Sequence, residues 1–348
     1  MFSVSDLRQS GRNICLKDAL YLGWSGSFIE FLTDTRLLSL LLCSDASATE
    51  EDHLPRIAVY VDDLTTPAHI ITLRVPEIRI VLPVSDGHVL RTVRIMRLTE
   101  SAFGLAGIRD LQLDPGAHIQ PTSPKSHRIE FIGDSITCGY GIEAFSPATF
   151  TTLTENPVSA YAVLTANALN ADYSLVAWSG IGVVSSWVEA SVQEPNQSLL
   201  MSRLYPYHCL RFAENLRLEP EPHDFVSDPV DLVVINLGTN DSSWTRGIPE
   251  RVERFASAYY EFLELVHAFR PNTPVLCILG TMGQDLCNVM EETVHHFRSS
   301  HPNAEIHSLR MPVQQPEHGL GADGHPTPQT HRIAADRLIA CIRSLRLW

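Results

Sequence analysis

The feature that most constrains the fold is a change of rhythm at the Pro-rich stretch Pro121–Pro124. Before it, short runs with β character are separated by Asp, Pro, Gly and Ser, and several runs alternate between apolar and polar residues. The predicted strands are Gly26–Leu32, Arg36–Ser44, Arg56–Asp62, His69–Val75, Ile78–Val84, Val89–Leu98 and Gly107–Leu113. Many short, half-buried strands with turn residues between them predict a jelly-roll-like β-sandwich over residues 1–122.

After this stretch, buried strands alternate with helical patterns. The predicted strands are Arg128–Ile132, Tyr173–Trp178, Leu232–Leu237, Val275–Leu279 and Ala304–Leu309. Ile248–Phe269 has apolar residues every three to four positions, and Gln329–Leu345 is a second, closing helix. Strands that alternate with helices indicate a parallel sheet covered on both faces. Residues 123–348 are therefore expected to form a three-layer α/β/α domain.

Charge excludes some classes of partner. The chain has 26 Lys and Arg against 40 Asp and Glu, a formal net charge of −14. This charge repels phosphate backbones and anionic lipid, so neither nucleic acid nor a membrane surface is expected as a partner. The longest apolar run, Leu37–Cys43, is too short to cross a bilayer.

The cysteines and the N-terminal residues indicate in which cellular compartment the chain is expected. The seven cysteines are scattered and form no CxxC pair, which gives no indication of a zinc knuckle or a redox motif. Cys43 and Cys277 lie in apolar strand-like runs, which favours a reduced chain. No signal peptide is visible at the start, so the sequence as it stands predicts a cytoplasmic location.

Three polar blocks follow predicted strands, at the edge where open α/β sheets place their active sites. The first is Gly-Asp-Ser at 133–135, which places Ser135 at a tight turn opening a helix, with its hydroxyl and N–H near the strand end. The alternative is that Asp134 or Ser135 only caps that helix. A phosphate-binding loop is not indicated, because GxGxxG is absent and no Lys-Ser or Lys-Thr follows the glycines.

The other two blocks contain an amide and an imidazole. Asn240, in Gly-Thr-Asn-Asp at 238–241, can direct its amide N–H at a developing oxyanion, or can serve only a local Asx-turn. His325 lies in a loop framed by Gly and Pro, where it is well placed to accept a serine proton.

Taken together, the three blocks resemble the SGNH/GDSL hydrolases. The resemblance implies an SGNH-type catalytic domain with Ser135 as nucleophile, His325 as base, and an oxyanion hole formed by Ser135, Asn240 and a glycine after the second strand. Ser-Gly-Ile-Gly at 179–182 matches that place, with Gly182 as the first choice and Gly180 as the second. The Gly133–Gly141 block, with Trp24-Ser25-Gly26-Ser27 in the sandwich, is similar to carbohydrate esterase family 2 acetylesterases, whose members are often secreted.

One departure from the usual SGNH pattern concerns the third catalytic residue. Most SGNH enzymes have an aspartate three residues before the histidine, whereas here Asp323 lies two before His325 and position 322 is Ala. A triad through the Asp323 carboxylate and a dyad with His325 held by a backbone carbonyl are both open. We expect the dyad, with the Asp323 carbonyl on the ring.

The resemblance implies hydrolysis of an O-acetyl ester of a carbohydrate or a carbohydrate-like molecule through an acyl-serine, with no metal or organic cofactor. The partner is then a small-molecule or polysaccharide acetyl ester. Trp244, Gly180 and Asp134 are the candidates for substrate contacts, and Trp244 can stack on a sugar ring or belong to the core. The alternatives are a lipase, an acyltransferase acting on a non-carbohydrate ester, and a non-catalytic carbohydrate-binding protein.

Overall fold

The computed structural model describes residues 6–45 and 51–347. Before residue 122 the described residues form eleven strands in two antiparallel sheets. The strands are β1 (Arg8–Ser10), β2 (Ile14–Leu16), β3 (Ala19–Tyr21), β4 (Phe28–Thr33), β5 (Leu37–Cys43), β6 (Arg56–Val61), β7 (His69–Thr72), β8 (Glu77–Pro83), β9 (Arg91–Arg97), β10 (Gly107–Leu113) and β11 (Ile119–Pro121). One sheet has the order β1-β4-β9-β6-β7 with β11 beside β4, and the other β2-β3-β10-β5-β8. The predicted β-sandwich is confirmed.

The two antiparallel sheets enclose one apolar cluster. Alternate residues of β5, including Leu38, Leu40 and Leu42, are fully buried there against Ile29, Val59 and Ile95. This period of two arises because successive strand side chains point to opposite faces. The strands β1, β2, β3 and β11 were not predicted, because segments of three residues are too short to show the period.

The rest of the described chain is built around one parallel sheet. Its strands are β12 (His127–Gly133), β13 (Ala171–Ala177), β14 (Leu232–Asn236), β15 (Val275–Leu279) and β16 (Ile306–Arg310), in the order β13-β12-β14-β15-β16. The helices are α1 (Ser135–Cys138), α2 (Tyr161–Ala168), α3 (Met201–Leu204), α4 (Leu210–Leu216), α5 (Thr239–Thr245), α6 (Pro249–Phe269), α7 (Cys287–Ser300) and α8 (Pro328–Leu345). The predicted parallel sheet and both predicted helices are confirmed.

Helices cover both faces of this sheet. Leu232 and Val234 of β14 belong to the cluster that α2 and α8 complete, whereas Val233 and Ile235 belong to the cluster of α6 and α7. A parallel sheet that is buried on both faces explains why its strands are continuous apolar runs. No described helix has the length and apolar character needed to cross a membrane.

The sandwich and the α/β part share buried contacts. The Arg12 guanidinium bonds the Glu130 carboxylate of β12 at 3.0 Å, and Arg270 approaches the same oxygen at 3.3 Å. Burial opposes ionisation of Glu130, but the two guanidinium groups lower its pKa to about 2. Trp24 of the sandwich is fully buried in the cluster of α6 and α7. The division at residues 122 and 123 into two domains stays a prediction.

Candidate active site

An open cavity of about 670 Å³ lies where β12, β13 and β14 end. In the sheet, β13 lies on one side of β12 and β14 lies on the other side. The cavity is therefore at the point where the strand order reverses, which is where open α/β sheets bind ligands. Ser135, Gly180, Asn240 and His325 all line it. The structure thus brings together one residue from each block singled out in the sequence.

The turn at the end of β12 places Ser135 at the first position of α1. A Cβ on Gly133 would lie 2.1 Å from Thr137 Oγ1, so only glycine permits this close approach. The Asp134 carboxylate accepts a hydrogen bond from Ile136 N–H at 3.0 Å and caps the helix, and Gly139 ends it with φ +76°. Ser135 therefore starts a one-turn helix that is fixed at both ends.

His325 connects Ser135 to the backbone. Its Nε2 lies 2.8 Å from Ser135 Oγ, and its Nδ1 lies 3.2 Å from the carbonyl oxygen of Ala322. An Nδ1–H that donates to the Ala322 carbonyl leaves Nε2 free to accept the serine proton. Desolvation lowers the pKa of His325, although the Ala322 carbonyl and the Asp323 charge and carbonyl oppose this. The imidazole is thus neutral near pH 7, as a general base must be.

The Asp323 carboxylate points away from the imidazole. It accepts hydrogen bonds from Tyr140 Oη at 2.9 Å and from Phe150 N–H at 3.0 Å. Asp323 has φ +49°, and this left-handed conformation turns its side chain toward the loop around Phe150. The Ala322 carbonyl lies within hydrogen-bond distance of the imidazole, and the Asp323 carbonyl also acts on the ring, so the prediction of Asp323 as the backbone acceptor stays a prediction. The Asp323 carboxylate thus bonds the loop around Phe150 instead of the imidazole, and the choice between a dyad and a triad stays a prediction.

The structure places the two candidate oxyanion glycines differently, and the choice between them stays a prediction. Gly180 lines the cavity, and no described residue accepts a hydrogen bond from its N–H or from the Ser135 N–H. Gly182 is buried instead, and a Cβ there would lie 2.1 Å from the Ser185 carbonyl oxygen and 2.6 Å from Asp241 Oδ1. Two backbone N–H groups at one cavity without protein partners can receive an oxyanion.

Asn240 and Asp134 are connected. One N–H of the Asn240 amide donates to the Ile181 carbonyl at 2.9 Å, and the amide makes a longer contact, 3.3 Å, with Asp134 Oδ2. An oxyanion in the cavity would therefore compete with Asp134 for the more weakly held N–H. Asp134 itself is fully buried, so its prediction as a substrate contact was wrong. Burial raises the pKa of Asp134 to about 7.

Asp241, the neighbour of Asn240, was not singled out in the sequence. It is fully buried and accepts backbone hydrogen bonds from Val183, Val184 and Ser185. This carboxylate fixes the loop that follows the cavity glycine to the start of α5. The position of Asp241 directly after Asn240 does not indicate, from the sequence alone, that its carboxylate bonds the loop at 183–185.

Two tryptophans near the site differ in their position: Trp187 lines the cavity, and Trp244 does not. Trp244 is only 2% exposed, donates its Nε1–H to the Gln193 carbonyl and packs under two arginines, so its prediction as a sugar contact was wrong. Trp187 lines the cavity and is 56% exposed. Trp187 lies in an irregular segment whose sequence has no periodic pattern, so sequence reasoning does not select it.

One group among the described residues has metal-ligand chemistry. The ligand atoms of Glu100, Cys138 and Glu155 lie within 4.8 Å of one another, and all three residues are buried. Glu100 uses both carboxylate oxygens as acceptors for Ser179, and one Glu155 oxygen accepts from Glu100 N–H at 2.8 Å. Of these three residues, Glu100 is the one that accepts hydrogen bonds from the loop beside the cavity, and Glu155 accepts from Glu100.

Comparison with known proteins gives a family. Residues 131–333 match the GDSL-like Lipase/Acylhydrolase family. The chain is 32% identical over 259 residues to the cellulase/esterase CelE of Acetivibrio thermocellus, covering 73% of this chain but only 30% of that protein. It is 26% identical over 258 residues to an acetylxylan esterase / glucomannan deacetylase of Cellvibrio japonicus, covering 74% of this chain and 67% of that protein.

The likeness extends to the whole fold. A family two carbohydrate esterase from Clostridium thermocellum, solved in complex with cellohexaose, superposes with a TM-score of 0.84 at 26% identity. The match covers 98% of this chain and 99% of that one, sandwich included. The resemblance to family two carbohydrate esterases is therefore confirmed. With the matched segment running from β12 into α8, the chain belongs to the GDSL-like lipase/acylhydrolase family.

Proposed function

We propose that this chain is a serine esterase that removes acetyl groups from a carbohydrate. The observation that carries the proposal is the continuous hydrogen-bonded path from Ser135 Oγ through the His325 ring to the Ala322 carbonyl, at the floor of an open cavity. A hydroxyl on a neutral, oriented imidazole is an activated nucleophile. Because Ala322 supplies the orienting acceptor, a dyad is sufficient.

The reaction proceeds in two halves. Ser135 Oγ attacks the ester carbonyl carbon while His325 Nε2 takes the hydroxyl proton, and the N–H groups of Ser135 and Gly180 with the Asn240 amide stabilise the oxyanion. The protonated His325 then gives its proton to the departing sugar oxygen, leaving an acetyl-serine. Water loses a proton to His325 and attacks this ester, releasing acetate and restoring the Ser135 hydroxyl.

The carbohydrate part of the proposal depends on the cavity and on the relatives. The cavity is open to solvent and is bordered by Trp187, whose exposed indole can stack on a sugar face. Two relatives are named cellulase/esterase and acetylxylan esterase / glucomannan deacetylase, and a similar structure holds cellohexaose. These relatives favour a polysaccharide acetyl ester over a lipid.

The direct test is acetate release from acetylated xylan, acetylated glucomannan, acetylated small sugars and acetylated non-sugar metabolites, beside p-nitrophenyl esters of increasing chain length. We expect acetylated sugars to be hydrolysed and activity to fall as the acyl chain lengthens. Preference for long-chain esters would contradict the acetyl assignment and favour a lipase. Saccharide binding without any ester turnover would favour a binding protein.

Trp187 provides a test of the sugar assignment. Trp187→Ala should raise KM for an acetylated oligosaccharide with kcat little changed, because stacking stabilises ground state and transition state alike. p-Nitrophenyl acetate has no sugar ring and serves as the control substrate. Equal changes in KM for both substrates would remove Trp187 from sugar binding.

A further inference from the structure

Glu100 is a buried carboxyl of the sandwich that lies next to the catalytic cavity. It follows β9 by three residues and is fully buried. Its backbone is fixed on both sides, because its N–H donates to Glu155 Oε1 at 2.8 Å and its carbonyl accepts from the Arg97 guanidinium at 2.7 Å. Arg97 also donates to the carbonyls of Leu22, Thr99 and Gly104, which organises the whole segment.

The Glu100 side chain holds one residue of the cavity wall. Oε2 accepts the Ser179 N–H at 2.7 Å, and Oε1 is hydrogen-bonded to the Ser179 hydroxyl. An ionised carboxylate accepts both bonds, and a protonated carboxyl can accept the N–H and donate to the hydroxyl. Ser179 is therefore held by two bonds in either protonation state.

The peptide after Ser179 has few other restraints. Among the described residues, neither the Ser179 carbonyl nor the Gly180 N–H makes a hydrogen bond. Gly180 has φ +79° and no Cβ, so its backbone has wide freedom. The orientation of this peptide depends on its two neighbours: the Glu100 bonds to Ser179, and the Trp187 N–H bond to the Gly180 carbonyl at 2.8 Å.

From these contacts we infer that Glu100 is a positioning residue for the esterase reaction: its carboxyl, supplied by the sandwich, orients the 179–180 peptide so that the Gly180 N–H faces the oxyanion. The inference rests on the proposed function. It assigns the sandwich a part in catalysis, since the catalytic α/β residues alone do not fix this donor. Glu100 itself does not line the cavity.

The test compares kcat and KM for p-nitrophenyl acetate in four variants. Glu100→Ala removes both bonds and should lower kcat by about 10–10²-fold with KM little changed, because a misplaced oxyanion donor costs mainly the transition state. Glu100→Gln should retain most of kcat, since its amide can accept the Ser179 N–H and donate to the hydroxyl. Ser179→Ala should show a smaller loss than Glu100→Ala, because its N–H remains bonded.

The matched control is Ser10→Ala. Ser10 is a buried residue of the sandwich whose hydroxyl donates to the Tyr173 carbonyl at 2.6 Å, so its loss also removes a hydrogen bond to the α/β part. It should lower stability and leave kcat unchanged. Folding of each variant is checked by circular dichroism and thermal unfolding.

Two results would overturn the inference: an unchanged kcat in folded Glu100→Ala, or equal losses of kcat in Glu100→Ala and Ser10→Ala. If Glu100→Ala does not fold, an unchanged kcat in Ser179→Ala overturns it instead. If the esterase assignment itself is wrong, the results differ from these: Ser135→Ala keeps its activity, or the wild-type protein hydrolyses no acetyl ester.

Discussion

Replacing Asp323 with Asn separates a dyad from a triad. In the structure the Asp323 carboxylate bonds Tyr140 and Phe150, while the Ala322 carbonyl bonds the His325 imidazole. Asn keeps a side-chain oxygen that can accept both hydrogen bonds, and it tolerates the left-handed backbone at φ +49°. Neither the imidazole tautomer nor its orientation should change.

The expected loss is small because only the Asp323 charge disappears. That charge helps to raise the pKa of His325 and to stabilise the imidazolium, so its removal should lower kcat by about 10-fold or less, roughly 1.4 kcal/mol. In a carboxylate triad the same substitution costs about 10⁴-fold, because the imidazole takes the wrong tautomer. The two arrangements therefore differ by about a thousandfold in the expected rate.

The assay is steady-state hydrolysis of p-nitrophenyl acetate by Asp323→Asn, with Asp323→Ala as the matched comparison. Ala also lacks the acceptor for Tyr140 and Phe150 and is strained at positive φ by about 1–2 kcal/mol, so it should lose stability as well as rate. A drop of several thousandfold in correctly folded Asp323→Asn would refute the dyad and make the Asp323 carboxylate part of a triad.

The oxyanion amide, the imidazole and a buried ion pair can each be tested separately. Asn240→Ala should lower kcat by about 10²–10³-fold with KM little changed in steady-state kinetics, and an unchanged kcat would remove its amide from the oxyanion hole. Because desolvation lowers the pKa of His325, the acid limb of the kcat/KM profile should have its midpoint below ~6.5, and a midpoint above 7 would contradict this. Arg12→Ala should destabilise the protein by up to about 3–5 kcal/mol in urea unfolding, because the buried Glu130 loses one of its two guanidinium partners and keeps only Arg270. Loss of the exposed Arg91 ion pair should cost about 0–1 kcal/mol, and equal losses would contradict the buried pair.

Most of the architecture could be predicted because the spacing of apolar residues and the order of strands and helices are visible along the sequence. The runs that became β5, β6, β10 and the parallel strands were apolar or alternating over five or more residues, and the long helix α6 had a clear stripe. The nucleophile, the base and the amide each directly follow a strand or lie in a loop framed by Gly and Pro. Because the parallel strands all end at the same edge of the sheet, these three residues meet at one cavity.

Several of the differences concern which atom of a loop faces which neighbour. The sequence does not show that Gly182 is buried against Ser185 and Asp241 while Gly180 lines the cavity. The Ala322 carbonyl lies 3.2 Å from His325 Nδ1, and Asp323 beside it takes a left-handed conformation that the sequence does not specify. Glu100 was not recognised because its partner Ser179 lies 79 residues away across the two parts of the molecule.

The proposed reaction requires Ser135 to form the acyl intermediate, and kcat for acetate release by Ser135→Ala measures this role. The variant should fold, since the Asp134 cap and the Gly139 end of α1 do not use the hydroxyl. We expect almost no esterase activity, because the ester carbonyl then has no nucleophile and His325 has no proton to take. Retention of about a tenth of the wild-type kcat or more by folded Ser135→Ala would contradict the account and require a different nucleophile.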